Sequence, residues 1–174
     1  SGNVKEIRRI CSRFKIDLIE DAAESIGSFF QKKHLGTFGK CGVLSFNGNK
    51  TVTTGAGGAL ITNDKKLAKT ALKLSLVSKV PHNWKLEYDA VGYNYRMPSI
   101  NASLGLSQLK KLNLFLILKK KLFLKYKKEF KKYSEFNLLD QPKNCKSNFW
   151  LNTIILKTNS FNIRDNIIRK LNEN

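Results

Sequence analysis

An α/β fold with a mostly parallel sheet, continued through a long helix into a small α+β unit, is what these 174 residues predict. Three observations lead there. Val4, Ile7, Ile10 and Phe14 recur at helical spacing. The run Ile16-Asp-Leu-Ile-Glu20 then bunches its apolar side chains as a strand covered on both faces does. Two further β-like runs, Gly42 to Phe46 and Gly58 to Thr62, precede a helix that Asp64 is suited to cap. The order helix, strand, loop, strand, loop, strand, helix is that of a domain whose strands are sandwiched by helices.

The first helix has neither an evident cap nor an initiating Met, so the chain reads as one that starts inside a longer protein. The first strand ends on Asp21-Ala-Ala-Glu24, and Ser28 to Gly36 reads as a short hairpin or an irregular excursion. Lys50 falls between the second and third strands, ahead of the turn Gly55-Ala-Gly-Gly58. The helix begun at Asp64 is expected to run to about Leu76. Val80 to Trp84 and Tyr88 to Pro98 are aromatic and aperiodic, the texture of loops that carry function. Ile100, Leu104, Leu106, Leu109, Leu112, Leu116, Leu122, Phe123, Tyr126 and Phe130 predict one long helix, or two with a bend near Asn113. A strand at Asn152 to Leu156 and a helix at Phe161 to Leu171 complete the pattern. The expected division is residues 1–98 for the large domain and 99–174 for the connecting helix and a partial C-terminal domain.

Hydrophobic residues make up 41% of the chain, enough for a core, and Lys plus Arg at 32 against Asp plus Glu at 13 give a net charge of +19. Such a charge points by itself to an anionic partner. Here the basic residues gather after residue 110 together with many Asn, Ile, Phe and Leu, a joint excess that an AT-rich coding sequence produces, so nucleic acid is not the expected partner. The alternative is a non-catalytic remnant, or a basic module binding nucleic acid or acidic glycan through the helix at 119–132. Cys11, Cys41 and Cys145 are odd in number and lack metal-ligand spacing, which argues for a reducing cytoplasm and against a disulfide framework or a metal site. Leu112 to Leu118 is apolar but far too short to span a bilayer, so no membrane is expected.

Glu20-Asp-Ala-Ala-Glu-Ser-Ile-Gly27, Gly36-Thr-Phe-Gly39, Ser45-Phe-Asn-Gly-Asn-Lys50, Gly55-Ala-Gly-Gly58 and Gly92-Tyr-Asn-Tyr-Arg96 follow one another as they do in the DegT/DnrJ/StrS nucleotide-sugar aminotransferases, and the chain resembles that family from about Asp17 to Leu112. It looks closest to the branch that aminates UDP-linked 4-keto-6-deoxy sugars in legionaminic-type acid pathways. The resemblance implies the aspartate-aminotransferase-like fold (fold type I), pyridoxal 5′-phosphate (PLP) as cofactor, glutamate and a nucleotide sugar as substrates, a role in cell-surface glycan biosynthesis, and a homodimer with shared active sites. Family members are about twice this length, so the chain resembles the second half of the large domain and the first part of the small one.

Residue by residue, the resemblance makes Lys50 the lysine that carries the cofactor and then shuttles a proton at the substrate carbon. A free lysine ammonium keeps its proton to about pH 10, so such a lysine must be partly desolvated or close to other positive charge. Read alone, Lys50 is a turn lysine next to glycines; with Asp21 in register it matches the family's covalent residue. Asp21 matches the carboxylate that keeps the pyridine nitrogen protonated, with a helix cap as its plain alternative. Glu24 stands where relatives carry a residue beside the cofactor. Ser45 matches a donor to the cofactor phosphate, and Asn94 a residue reaching the phosphate in the partner subunit. Arg96 is a candidate for the carboxylate of glutamate, with an interface salt bridge as the alternative. His34, His82 and Trp84 are expected to be structural.

Overall fold

The computed structural model describes residues 3–157 and 160–173. Helix α1 (Val4–Arg13) does have a cap: the Asn3 side chain accepts the Glu6 amide. Strand β1 (Ile19–Asp21) starts later than the apolar run, because Lys15 at φ 54 breaks away from α1 and Ile16 stays exposed. Strands β2 (Phe29–Phe30) and β3 (Lys33–His34) form the expected hairpin, turning at Gln31 and Lys32 with φ 46 and 69. Strand β4 (Cys41–Ser45) follows, then β5 (Gly58–Ile61), and helix α2 (Lys65–Ser75) begins at Asp64, whose carboxylate accepts the Lys66 and Leu67 amides.

Within this chain the central sheet is mixed rather than mostly parallel. Its order is β1-β4-β5; Asp21 lies opposite Val43 in the parallel pair, and Ser45 opposite Gly58 in the antiparallel one. The reason is the connection: residues 46–57 contain no helix, and a strand can return in parallel only through a long crossover. Alternation along β1 separates its two carboxylates. Glu20 accepts the amides of Gly36 at 2.8 Å and Gly39 at 2.7 Å as well as that of Phe38, and so organises the Gly36–Gly39 turn. The turn presses so closely on β4 that a Cβ on Gly42 would lie 2.1 Å from the Gly36 carbonyl oxygen.

Beyond α2 the aromatic segment is tied down by two isolated bridges, Leu76 with Asn94 and Lys79 with Tyr88. The long helix is two: α3 (Ser99–Lys110) and α4 (Leu112–Phe130), broken at Lys111, close to the expected bend. Strands β6 (Phe136–Leu138) and β7 (Cys145–Lys146) were not legible, being only three and two residues long. Strand β8 (Ile154–Leu156) pairs antiparallel with β6, and α5 (Phe161–Asn172) follows. β7 instead crosses the division at residue 98 and adds to β2, with Phe29 opposite Lys146. This crossing brings the residues after β7 to the turn that follows β1. Among the described residues the buried apolar core is small: Val4, Ala22, Ile26, Cys41, Val52 and Phe123. None of the described helices is long and apolar enough to cross a membrane.

Candidate active site

The loop that carries Lys50 is closed on itself and bolted to α3. Phe46 binds both ends, donating its amide to the Gly57 carbonyl and accepting the Thr54 amide, each at 2.9 Å. Asn101 of α3 donates to the Thr54 carbonyl at 2.6 Å, and the Thr54 side chain sits where a Cβ on Gly105 would have to go. Gly55 and Gly57 take φ 82 and 113, conformations that favour glycine, so the Gly-rich turn is required by the chain path itself. Thr51, Val52 and Thr54 are buried, which fixes the backbone immediately after Lys50.

Lys50 therefore differs from the chain's many solvated cations. Its side chain is only 12% exposed, with Nζ 3.3 Å from Glu24 Oε1 and 4.1 Å from the centre of the Trp150 ring. Glu24 comes from the turn after β1 and is largely in solvent. Asp21 and Ser45 stand at the C-terminal ends of neighbouring parallel strands, the edge where open α/β sheets bind ligands. Asp21 is exposed; its Oδ1 accepts the Ala23 amide at 3.1 Å, and the residues that follow run as turns, so the helix-cap alternative has no helix to cap. Ser45 Oγ accepts the Asn47 amide at 3.3 Å, a bond that leaves the hydroxyl proton for another acceptor.

Lys50, Glu24, Asp21 and Ser45 are thus gathered at one sheet edge, and Asn94 and Arg96 are elsewhere in the chain. Asn94 is bridged to Leu76, and Arg96 lines a shallow depression with Leu76, Lys79 and His82. Both are exposed on the aromatic segment, where Trp84 and Tyr95 are 80% and 76% exposed. His34 is engaged in the hairpin, its Nε2 accepting the Gly27 amide at 3.0 Å. His82 accepts the amides of Trp84 and Lys85. Trp150, with Asn148 that holds it, is the participant that sequence reading missed. An Asn-Phe-Trp run after a two-residue strand is its one signal, and nothing in the spacing relates it to Lys50.

This donor set fits a phosphate-bearing aldehyde: a primary amine withdrawn from water, and a carboxylate and a hydroxyl at the ends of neighbouring strands. Comparison with known proteins points the same way. The sequence profile of the DegT/DnrJ/EryC1/StrS aminotransferase family matches residues 1–174. GDP-perosamine synthase of Escherichia coli O157:H7 is 34% identical over 156 residues, 90% of this chain and 42% of that protein. The UDP-4-amino-4,6-dideoxy-N-acetyl-beta-L-altrosamine transaminase of Helicobacter pylori is 30% identical over 174 residues, 99% of this chain and 46% of that one. Among solved structures, Helicobacter pylori PseC, an aminotransferase involved in the biosynthesis of pseudoaminic acid, superposes with a TM-score of 0.94 at 28% identity, covering 99% of this chain and 47% of its own. The E. coli GDP-4-keto-6-deoxy-D-mannose-3-dehydratase with bound hydrated PLP gives 0.82 at 27% identity, over 99% and 48%. The chain spans less than half the length of these relatives. It belongs to the DegT/DnrJ/EryC1/StrS aminotransferase family, with the type I fold and PLP dependence of that family.

Proposed function

We propose that this family member carries PLP on Lys50 and transfers an amino group from glutamate to C4 of a UDP-linked 4-keto-6-deoxy sugar. In this reading it works in the cytoplasm as a homodimer and supplies cell-surface glycan such as lipopolysaccharide. The supporting observation is the Lys50 amine, held nearly out of solvent at the sheet edge beside Glu24. When bound, the cofactor supplies an aldehyde for the amine and a protonated ring that accepts the electron pair left at the substrate carbon.

The remaining work falls to the chain's own residues. Lys50 would hold the aldehyde through Nζ with loss of water and, once freed by the incoming amine, would take the proton from the donor's α-carbon as base and give it as acid to the former aldehyde carbon. Asp21 keeps a proton on the ring nitrogen by presenting a charge at the end of β1. The Ser45 hydroxyl donates to the phosphate, and Glu24 holds the resting Lys50 ammonium at 3.3 Å. Asn94 and Arg96 serve the partner subunit's phosphate and the glutamate carboxylate. Their position on an exposed aromatic segment favours that shared arrangement.

A dehydratase is the competing activity within the family, because one solved relative of that kind holds its cofactor as the hydrate. A hydrated aldehyde has no amine attached, so the primary amine at position 50 favours attachment and amine transfer. In the full-length protein, Lys50→Ala is expected to lower turnover by orders of magnitude and to abolish the yellow, borohydride-bleachable absorbance. Near-wild-type transamination by that variant would remove Lys50 from the site. A colourless wild type that binds oligonucleotides in a strongly salt-dependent way would favour the basic module instead.

A further inference from the structure

The ring that covers Lys50 comes from the far side of the sequence and is held in place more firmly than packing alone requires. The Trp150 amide donates to Asn148 Oδ1 at 3.0 Å, its carbonyl accepts Lys119 Nζ at 3.3 Å, and its indole Nε1–H donates to the Asn49 carbonyl at 2.7 Å. The last bond fastens the ring to the residue immediately before Lys50. Asn148, only 4% exposed, is fully engaged. Its amide donates to Ser28 Oγ at 3.1 Å, and its Nδ2 donates to the carbonyls of Glu24 at 2.7 Å and Ile26 at 3.0 Å.

Both groups that flank Lys50 Nζ, the Glu24 carboxylate and the Trp150 ring, thus depend on one buried amide side chain. Phe149, which joins Asn148 to Trp150 in the chain, takes φ 50, a conformation that bulky residues rarely adopt, and stacks on Phe123 at 4.5 Å. Strain of this kind persists where the surroundings over-determine it. Here they are the Asn148 bonds on one side, the Phe123 stack on the other, and the indole fastened over Lys50. Lys119 also belongs to this arrangement, although by sequence it is one cation of a lysine-rich face.

We propose that Trp150 is a positioning residue for Lys50: its indole face holds the Nζ end of the side chain where the amine, once it has given up its proton to solvent, meets an aldehyde. The inference rests on Lys50 being the attachment residue. An indole face attracts a nearby cation through its quadrupole and does so more strongly at a largely desolvated site, and the Lys50 side chain is largely buried at 4.1 Å from the ring centre. Because it lacks a charge or a proton of its own at that face, it orients the lysine without competing as an acid or base.

PLP is the probe for the test, added to the full-length protein. A C=N bond forms between Lys50 Nζ and the aldehyde carbon with loss of water. Borohydride then delivers hydride to the carbon while solvent gives a proton to the nitrogen, leaving a stable secondary amine that peptide mass mapping locates. The readouts are the share of label at Lys50 against exposed lysines such as Lys120 and Lys121, and the quenching by PLP of the part of the tryptophan fluorescence that Trp150→Phe removes. Trp150→Leu is expected to lower the Lys50 share about tenfold. Trp150→Phe, which keeps an aromatic face, is expected to recover it to within about threefold. An unchanged share in Trp150→Leu overturns the inference. If that variant fails to fold, the fluorescence decides: unquenched Trp150 in a protein labelled at Lys50 overturns it equally. A wild type that takes no label at Lys50 overturns the function proposed above, and this inference with it.

Discussion

At the end of β1 the Asp21 carboxylate needs only one oxygen for the fold, since Oδ1 accepts the Ala23 amide at 3.1 Å while the side chain stays exposed. Its neighbour Glu20 has the opposite duty, spending both oxygens on three turn amides. Asp21→Asn should therefore retain the turn, because the amide oxygen of Asn accepts the same bond, and remove only the charge. We expect the melting temperature to be unchanged and transamination to fall by orders of magnitude with PLP still bound; a loss of only a few fold would leave Asp21 a turn residue. Glu20→Gln is the contrasting variant and should weaken the fold, since a neutral acceptor replaces a charged one under three donors. Lys50, Asp21, Glu24 and Ser45 were visible as candidates because each lies within a contiguous motif. Trp150 was not, because what brings it to Lys50 is the pairing of β7 with β2, a contact between segments too short to leave a periodic trace.

Helix α2 illustrates what sequence does fix at the level of elements. Asp64 accepts the Leu67 amide at 3.0 Å and the Lys66 amide at 2.9 Å, and these bonds, with the Leu67 bond foremost, hold its carboxyl below the ordinary aspartate range. A carboxyl whose folded value is depressed stabilises the helix above its unfolded value and loses that contribution as pH falls through the folded one. Amide exchange at Lys66 and Leu67 should thus quicken below about pH 4 in the wild type. Asp64→Asn caps equally well but does not titrate, so its exchange should lack that acid step; the same step in both proteins would assign it to general acid unfolding. Caps and periods of this kind made α2, α3, α4 and α5 readable within a few residues. The direction of β5 was not readable, since the apolar run is the same for either direction and only the helix-free connection decides it. Two-residue strands such as β7 exist through their partners and carry no pattern of their own.

Across the whole molecule, the exposed area of 13374 Å² is the quantity to explain. A compact monomer of 19.8 kDa exposes about 8,600 Å². The excess, roughly 4,800 Å², is of the size buried in large permanent interfaces. It is distributed where a covering body would act: on Ile19 and Val43 of the sheet, on Ile100 and Leu106 of α3, and on Trp84, Val91 and Tyr95 of the aromatic segment. Within the described residues, the outer edges of β1 and β5 also have no neighbouring strand in their sheet. A chain spanning less than half of its relatives' length and burying so small an apolar core has little to make its unfolding cooperative. A net charge of +19 opposes aggregation by repulsion but contributes no burial, and it makes the compact state weaker at low salt. The 174-residue chain expressed alone should therefore unfold in urea over a broad range, load Lys50 with PLP weakly, and bind a hydrophobic dye before any denaturant is added. The full-length protein should lose the dye signal and gain a sharp transition. A steep, single urea transition for the 174 residues alone, with tight PLP binding and no dye signal, would mean that the exposed faces need no covering body.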